Sequence, residues 1–349
     1  MLLPNDDYPL HQTVLPLAHV MDGHPNAYDR FWFNGYDESF YFAVALGLYP
    51  NRGVIDGAFS VVEGNQQFSV FTSDALVGRP TNVGPITIEI VEPMRVNRIL
   101  IDAPEQGLKA ELLYTQSMVT SEEPRQTMHD QNRIFMDVTR ATQLGHWSGW
   151  IETPNGRRDV ANLRGTKDRS WGIRPVGEPL PGAPTNRAPQ LCFFWAPLHF
   201  EGEGAHFMTF NDPNGHSISR SGVRMPKEGM ASELEGALSV RLQPGTRWMA
   251  EATLQLANEE FHLEPLLRFQ MRGAGYSHPQ YAHGRWHGGP VTAGETLELD
   301  QLSPLEYHNI HIQHVVRATS PTRSGLGVLE QLIVGPYFPN GLNGLLDGA

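Results

Sequence analysis

The stretch RGTKDRSWGIRP, Arg164 to Pro175, crowds a carboxylate, three guanidiniums, two hydroxyls and an indole into one short segment. In extended backbone, side chains alternate between faces. Asp168, Ser170 and Arg174 then share one side, while Arg169, Trp171 and Ile173 share the other. This pattern suits general acid–base chemistry. A carboxyl whose pKa is raised by burial and lowered by neighbouring arginines can give up and recover a proton near neutral pH. The same residues also suit a buried salt-bridge knot in which an arginine fork keeps Asp168 charged.

A second concentration of reactive groups is GYSHPQYAHGRWHGG, Gly275 to Gly289. If its second half is extended, Tyr281, His283, Arg285 and His287 project to one face and Trp286 to the other. The glutamate of H-E-x-x-H is missing and glycine disfavours helix, so no metal site is expected. EYHNIHIQHVVRA, Glu306 to Ala318, reads as a strand whose polar side faces solvent or a wet cavity. Glu330, in GLGVLEQLIVG, sits in a buried strand and needs a partner, either an arginine or a role as a second acid or base. Asn34, Asp37, Asp56 and Ser60 interrupt apolar segments as turn formers and buried hydrogen-bonders, and Asp56 is also a site candidate. The single cysteine, Cys192, lies among large apolar groups in LCFFWAP and reads as an inert buried thiol. No G-x-S-x-G elbow, dinucleotide fingerprint or phosphate loop occurs, so no cofactor is expected.

The elements that must hold these groups are strands. The chain has 35 glycines and 27 prolines in 349 residues, too many for long helices, and the runs between them are short and rich in β-branched and aromatic residues. PITIEIVEP, VNRILIDAP and GLKAELLY, within Pro85 to Tyr114, form an antiparallel meander with one wet face. Strands are also expected over 40–48, 54–62, 67–77, 191–199, 238–242, 248–256, 263–271 and 309–318, with one polar helix around Ser121 to Phe135. PVGEPLPGAPTNRAP marks a stiff connector at 176–190. It separates an N-terminal β domain, 1–175, from a C-terminal one, 191–349. The arginine-rich motif ends the first domain, where a cleft between domains would expose it.

A net charge of −12 argues against nucleic acid or an anionic membrane as partner. The N-terminus lacks the pattern of a signal peptide, the longest apolar run, Phe40 to Tyr49, is too short to span a bilayer, and low cysteine use fits the cytoplasm. The expected partner is a hydrophobic small molecule, with homodimer assembly left open.

The segments FWFNGYD, GLYPNRGVIDGAFSVV, KDRSWGIRP, YSHPQYAHGRWHG and GVLEQLIVGP, taken together, resemble the carotenoid 1,2-hydratase (hydroxyneurosporene synthase)-like superfamily, in its bacterial branch. That resemblance implies an all-β chain of two lipocalin-like barrel domains packed side by side, with a hydrophobic pocket near their interface. It implies cofactor-independent lyase, hydratase, dehydratase or isomerase chemistry on a terpenoid, steroid or aromatic compound. On that reading Asp168 is the proton donor, while His283, His287 and Tyr276 position water or accept a proton. Arg164, Arg169 and Arg174 hold Asp168 or a substrate oxygen, and Trp171, Trp286, Glu330 and Asp56 line the pocket. The alternatives are a non-catalytic lipocalin-like carrier and a Diels–Alderase-like cyclase.

Overall fold

A computed structural model describes residues 4–9, 19–20, 22–176 and 189–349. The connector expected at 176–190 therefore lies, apart from its ends, outside the described residues. In the first half the strands are β1 (Ala27–Tyr36), β2 (Phe40–Tyr49), β3 (Val54–Glu63), β4 (Gln66–Ala75), β5 (Asn82–Val83), β6 (Ile86–Glu92), β7 (Val96–Ala103), β8 (Leu108–Gln116), β9 (Ser121–Glu122), β10 (Gln126–Asp130), β11 (Arg133–Thr153) and β12 (Gly156–Ile173). The second half adds β13 (Leu191–His199), β14 (Glu203–Asn211), β15 (Ser217–Pro226), β16 (Ser232–Leu234), β17 (Gly236–Leu242), β18 (Met249–Leu256), β19 (Glu259–Gln270), β20 (Val291–Glu298), β21 (Ile312–Thr319) and β22 (Ser324–Val334). The fold is all-β and lipocalin-like, built from two large antiparallel sheets. Among the described residues no helix is long and apolar enough to cross a membrane.

The first sheet runs β20-β4-β3-β2-β1-β12-β11-β8-β7-β6-β5, with β9 and β10 paired to β11. It curls almost into a barrel, so that Val83 and Ile86 reach Gly57 on β3. The second sheet runs β16-β15-β14-β13-β22-β21-β19-β18-β17. The helix expected around Ser121 to Phe135 is instead β9, β10 and the start of β11. Its side chains are polar because they border a polar layer, which hides their two-residue period.

Strand β2 shows why the sheets stack. Every residue of FYFAVALGLY is buried, as expected of a strand covered on both faces. Phe40, Phe42, Val44, Leu46 and Leu48 point into the barrel core with Phe31, Phe33, Phe59 and Trp147. Tyr41, Ala43, Ala45 and Tyr49 point the other way, into a layer shared with Trp195, Met208, Phe269 and Val328 of the second half. The second sheet keeps a core of its own around Phe194, Leu198, Phe207, Leu254 and Phe261.

The halves are also tied by an arm. After β19 the chain makes a short 3-10 turn, Met271–Ala274, crosses onto the first sheet and returns as β20, which pairs with β4. Gln67 fixes the crossing: its Nε2 donates to Gln270 O at 2.9 Å and its Oε1 accepts from Gln270 N at 2.8 Å. Ser60 Oγ donates to Gly273 O at 2.5 Å. A Cβ on Gly273 would lie 2.0 Å from Gln67 Nε2 and 2.7 Å from Ser60 Oγ, so only glycine fits without disturbing these bonds. Gly273→Val should therefore cost about 1–3 kcal/mol by overpacking. Urea unfolding measures this, and an unchanged midpoint would show that the arm is not packed as described.

Candidate active site

The Arg164–Pro175 motif lies along β12 and its exit, and alternation divides it as the sequence suggests. Lys167 and Arg169 turn away from the second sheet. Lys167 pairs with Asp7 and donates to Asn97 Oδ1 at 2.9 Å. Arg169 pairs with Asp29 at 2.7 Å, and its guanidinium lies 3.9 Å from the Phe31 ring centre. Alternation puts Trp171 on this same side, opposite Asp168. Arg164 is exposed. Asp168 and Ser170 face the second sheet, in register with Trp32 and Arg30 of β1 and with Thr142 and Arg140 of β11.

The arginine that pairs with Asp168 is Arg140, outside the motif. Its Nε lies 3.2 Å from Asp168 Oδ2, with the two side chains 11% and 14% exposed. Arg164 and Arg169, expected to hold Asp168, do not touch it, and Arg174 acts on it only through its field. Asp168 Oδ1 is buried and has no hydrogen-bond partner. Burial pushes the carboxyl up to about 7; Glu123 and Glu330 add to the rise, while Arg140 and Arg174 oppose it. Next to it in register, Trp32 has a buried Nε1–H that is also without a partner. The Trp32 ring meets Tyr276 edge-on at 6.0 Å and Phe269 at 6.3 Å. An unpartnered carboxyl oxygen and an unpartnered indole donor thus lie in neighbouring register positions, beside the rings of Tyr276 and Phe269.

The histidine-rich segment is a set of turns, not the strand its spacing suggested. Gly275 (φ 85°), Ser277 (φ 52°) and Gly284 (φ 69°) bend it back on itself. His283 is buried against Tyr276, with ring centres 4.2 Å apart. Arg174 donates Nη1 to Tyr276 Oη at 3.3 Å, and its Nη2 meets His283 Nδ1 at 3.2 Å. His283 Nε2 lies 2.8 Å from Ala274 O. Burial, reinforced by Arg30 and Arg174, holds His283 well below the ordinary histidine range. The ring is therefore neutral: Nε2–H donates to Ala274 O and Nδ1 accepts from Arg174. Both nitrogens are occupied, so His283 orients Arg174 and Tyr276. Tyr276 Oη accepts from Arg174 and keeps its own hydrogen to donate.

Asp56 anchors the arm. Its Oδ2 accepts Gly284 N–H at 2.6 Å, and its Oδ1 lies 3.4 Å from Tyr49 Oη and 3.7 Å from Arg30 Nη1. Burial raises its pKa against the pull of Arg30 and Gly284. Asp56, His283 and His287 line a cavity of about 10 Å³, room for one water. Trp286 is exposed on the outer side of the arm. Glu330 accepts His311 Nε2 at 2.7 Å and Gln313 Nε2 at 2.6 Å; burial acts to raise it, but these hydrogen bonds win and hold it below the usual carboxylate range. Gln313 in turn accepts from Tyr41 and Asn34 of the first sheet. Cys192 is buried, and burial pushes its thiol up.

Three residues at the site escape a reading of the sequence: Arg140, Trp32 and Glu123. Glu123 follows β9 and is fully enclosed, accepting from Thr142, Trp195 and Arg140 at 3.1, 3.2 and 3.1 Å. The available signal was polar Arg140 and Thr142 spaced two apart in the strand that pairs with the Asp168 segment.

Residues 2–343 match the family of unknown function DUF8625. The chain belongs to that family. Among solved structures, kievitone hydratase from Nectria haematococca is similar at a TM-score of 0.52 and 11% identity, over 93% of this chain and 97% of that one. CghA with Sch210972 is similar at a TM-score of 0.49 and 9% identity, over 94% of this chain and 95% of that one. No curated protein matches the chain. At 11% identity the likeness to kievitone hydratase shows the fold, the same architecture that the sequence resemblance implied.

The elevated proton affinity of Asp168 has a consequence for stability. In the folded protein Asp168 loses its proton at about pH 7, while in the unfolded chain it does so at the ordinary carboxyl value of 3.8. Stability from this group therefore falls as pH rises between those two values. Asp168→Asn should be the more stable protein at pH 8, by about 2–4 kcal/mol, with the difference gone near pH 4. Denaturant unfolding at the two pH values tests this; equal stability at pH 8 contradicts the burial of an ionisable Asp168.

Proposed function

We propose that the protein is a cofactor-independent acid–base enzyme, of the hydratase, dehydratase or isomerase kind, acting on a hydrophobic small molecule between the two sheets. The observation that carries this reading is Asp168 Oδ1: buried, unpartnered, held by a carboxyl that keeps its proton near neutral pH, and set beside the unpartnered Trp32 indole N–H. A carboxyl in that state can protonate an alkene carbon or a leaving hydroxyl. Positive charge developing on the substrate meets the Trp32 ring. The Asp168 carboxylate then recovers a proton, from attacking water in a hydration or from the adjacent carbon in an elimination or double-bond shift. Trp32 and Tyr276 have donors to hold a substrate oxygen, and Arg174 with His283 fixes Tyr276 in place.

The overall likeness to a hydratase supports the reaction class at the level of fold. The filled interiors of both sheets weigh against a carrier, since a lipocalin-like carrier needs an open barrel and Phe31, Phe33, Phe42 and Trp147 occupy this one. The test is turnover of a panel of phenolic and isoprenoid alkenes and alcohols, read by mass spectrometry as gain or loss of one water or as deuterium taken up from D2O. Asp168→Asn should lower the rate on any accepted substrate by about 10²-fold or more. Full activity in that variant removes Asp168 from the reaction.

A further inference from the structure

Arg140 lies between two carboxylates that are treated very differently. Its Nη1 donates to Glu123 Oε2 at 3.1 Å and its Nε lies 3.2 Å from Asp168 Oδ2. Glu123 is surrounded by donors: Thr142 Oγ1 and Trp195 Nε1 on Oε1, Arg140 on Oε2, and Gln126 Nε2 on Oε2 at 3.4 Å. Its own backbone N–H donates to Arg140 O at 2.9 Å, which fixes the loop to β11. Asp168 has the guanidinium on one oxygen and nothing on the other. With both carboxylates ionised, this trio would carry one uncompensated negative charge in the interior. A single proton removes it, and the free lone pairs that can take it are on Asp168 Oδ1.

We propose that Glu123 and Arg140 form a positioning pair: Glu123 claims the guanidinium, so that the one proton of the cluster stays on Asp168 Oδ1. The assignment deepens the acid–base reading of Asp168 and rests on it. The other groups facing Asp168 are Glu330 from β22, Arg174 beyond β12 and Tyr28 from β1, while His206 of β14 lies 3.5 Å from Glu123 Oε1. Burial, with Arg140 opposing Glu123, holds His206 down at about 4, so it adds no cation to the cluster. Glu330 is occupied by His311 and Gln313, which leaves Glu123 as the carboxylate that competes with Asp168 for Arg140.

The experiment follows the Asp168 carboxyl by carbon NMR titration in the full-length protein, with Asp168→Asn assigning the resonance and no substrate present. Glu123→Gln keeps the shape of the side chain but removes its charge, freeing Arg140 for Asp168. The Asp168 midpoint should fall by about one pH unit or more. Arg140→Gln should move it the opposite way, upward by a similar amount. Opposite shifts are the signature, since loss of a merely structural contact has no reason to change sign between the two variants. An unchanged or raised midpoint in Glu123→Gln overturns the proposal; if that variant does not fold, an unchanged midpoint in Arg140→Gln does so. The titration needs no turnover, so opposite shifts in a protein whose Asp168→Asn variant stays active would keep the pair and remove the acid role instead.

Discussion

One face of the first sheet is polar and yet lies under a second sheet, and the desolvation of that face governs the rest of the molecule. Arg30, Asn34, Asp56, Ser60 and Ser170 along this face are buried, and Asp168 is nearly so. Removing such groups from water is costly unless each finds a partner. Most do. Asn34 accepts from Thr166 N at 2.9 Å, Ser60 holds Gly273, and Arg30 reaches Tyr49 and Ala274 at 2.8 and 3.1 Å. Several atoms of the layer remain without a hydrogen-bond partner, among them Asp168 Oδ1, Trp32 Nε1, Thr166 Oγ1, Tyr36 Oη and Arg140 Nε; of these, Asp168 is the carboxyl whose proton affinity burial raises.

The arm from Met271 to Glu298 follows from the same constraint. Small residues on the buried face, Ala43, Ala45, Ala58 and Ser60, let its backbone approach closely, and Gln67 and Asp56 supply the hydrogen bonds that the approach requires. The arm brings Tyr276 and His283 from the second half onto the first sheet. Contacts that look merely structural thus set the geometry of Arg174 and Tyr276, because His283 is held neutral between Ala274 O and Arg174.

Much of this was legible in the residues. The all-β fold followed from short β-branched runs, and β13 matches its expected bounds, Leu191 to His199. Two-residue alternation separated Asp168 and Ser170 from Arg169, which turns to Asp29 and Phe31. What alternation does not give is the partner across the sheet: Arg140 is remote in sequence and became visible only through strand register. Ser121 to Phe135 misled because hydrophobic periodicity reports apolar burial, and these residues pack against a polar layer. Tyr276 to His287 misled because its turns depend on positive φ at Gly275, Ser277 and Gly284, which spacing alone does not reveal.

In the proposed arrangement the Asp168–Arg140–Glu123 cluster holds one proton, and Asp168 carries it. Neutron diffraction from a crystal grown in D2O near pH 6 reads that proton directly. Deuterium is expected on Asp168 Oδ1 and none on the carboxyl oxygens of Glu123 or Glu330. A bare Asp168 carboxylate, or the deuteron on Glu123, would contradict this arrangement.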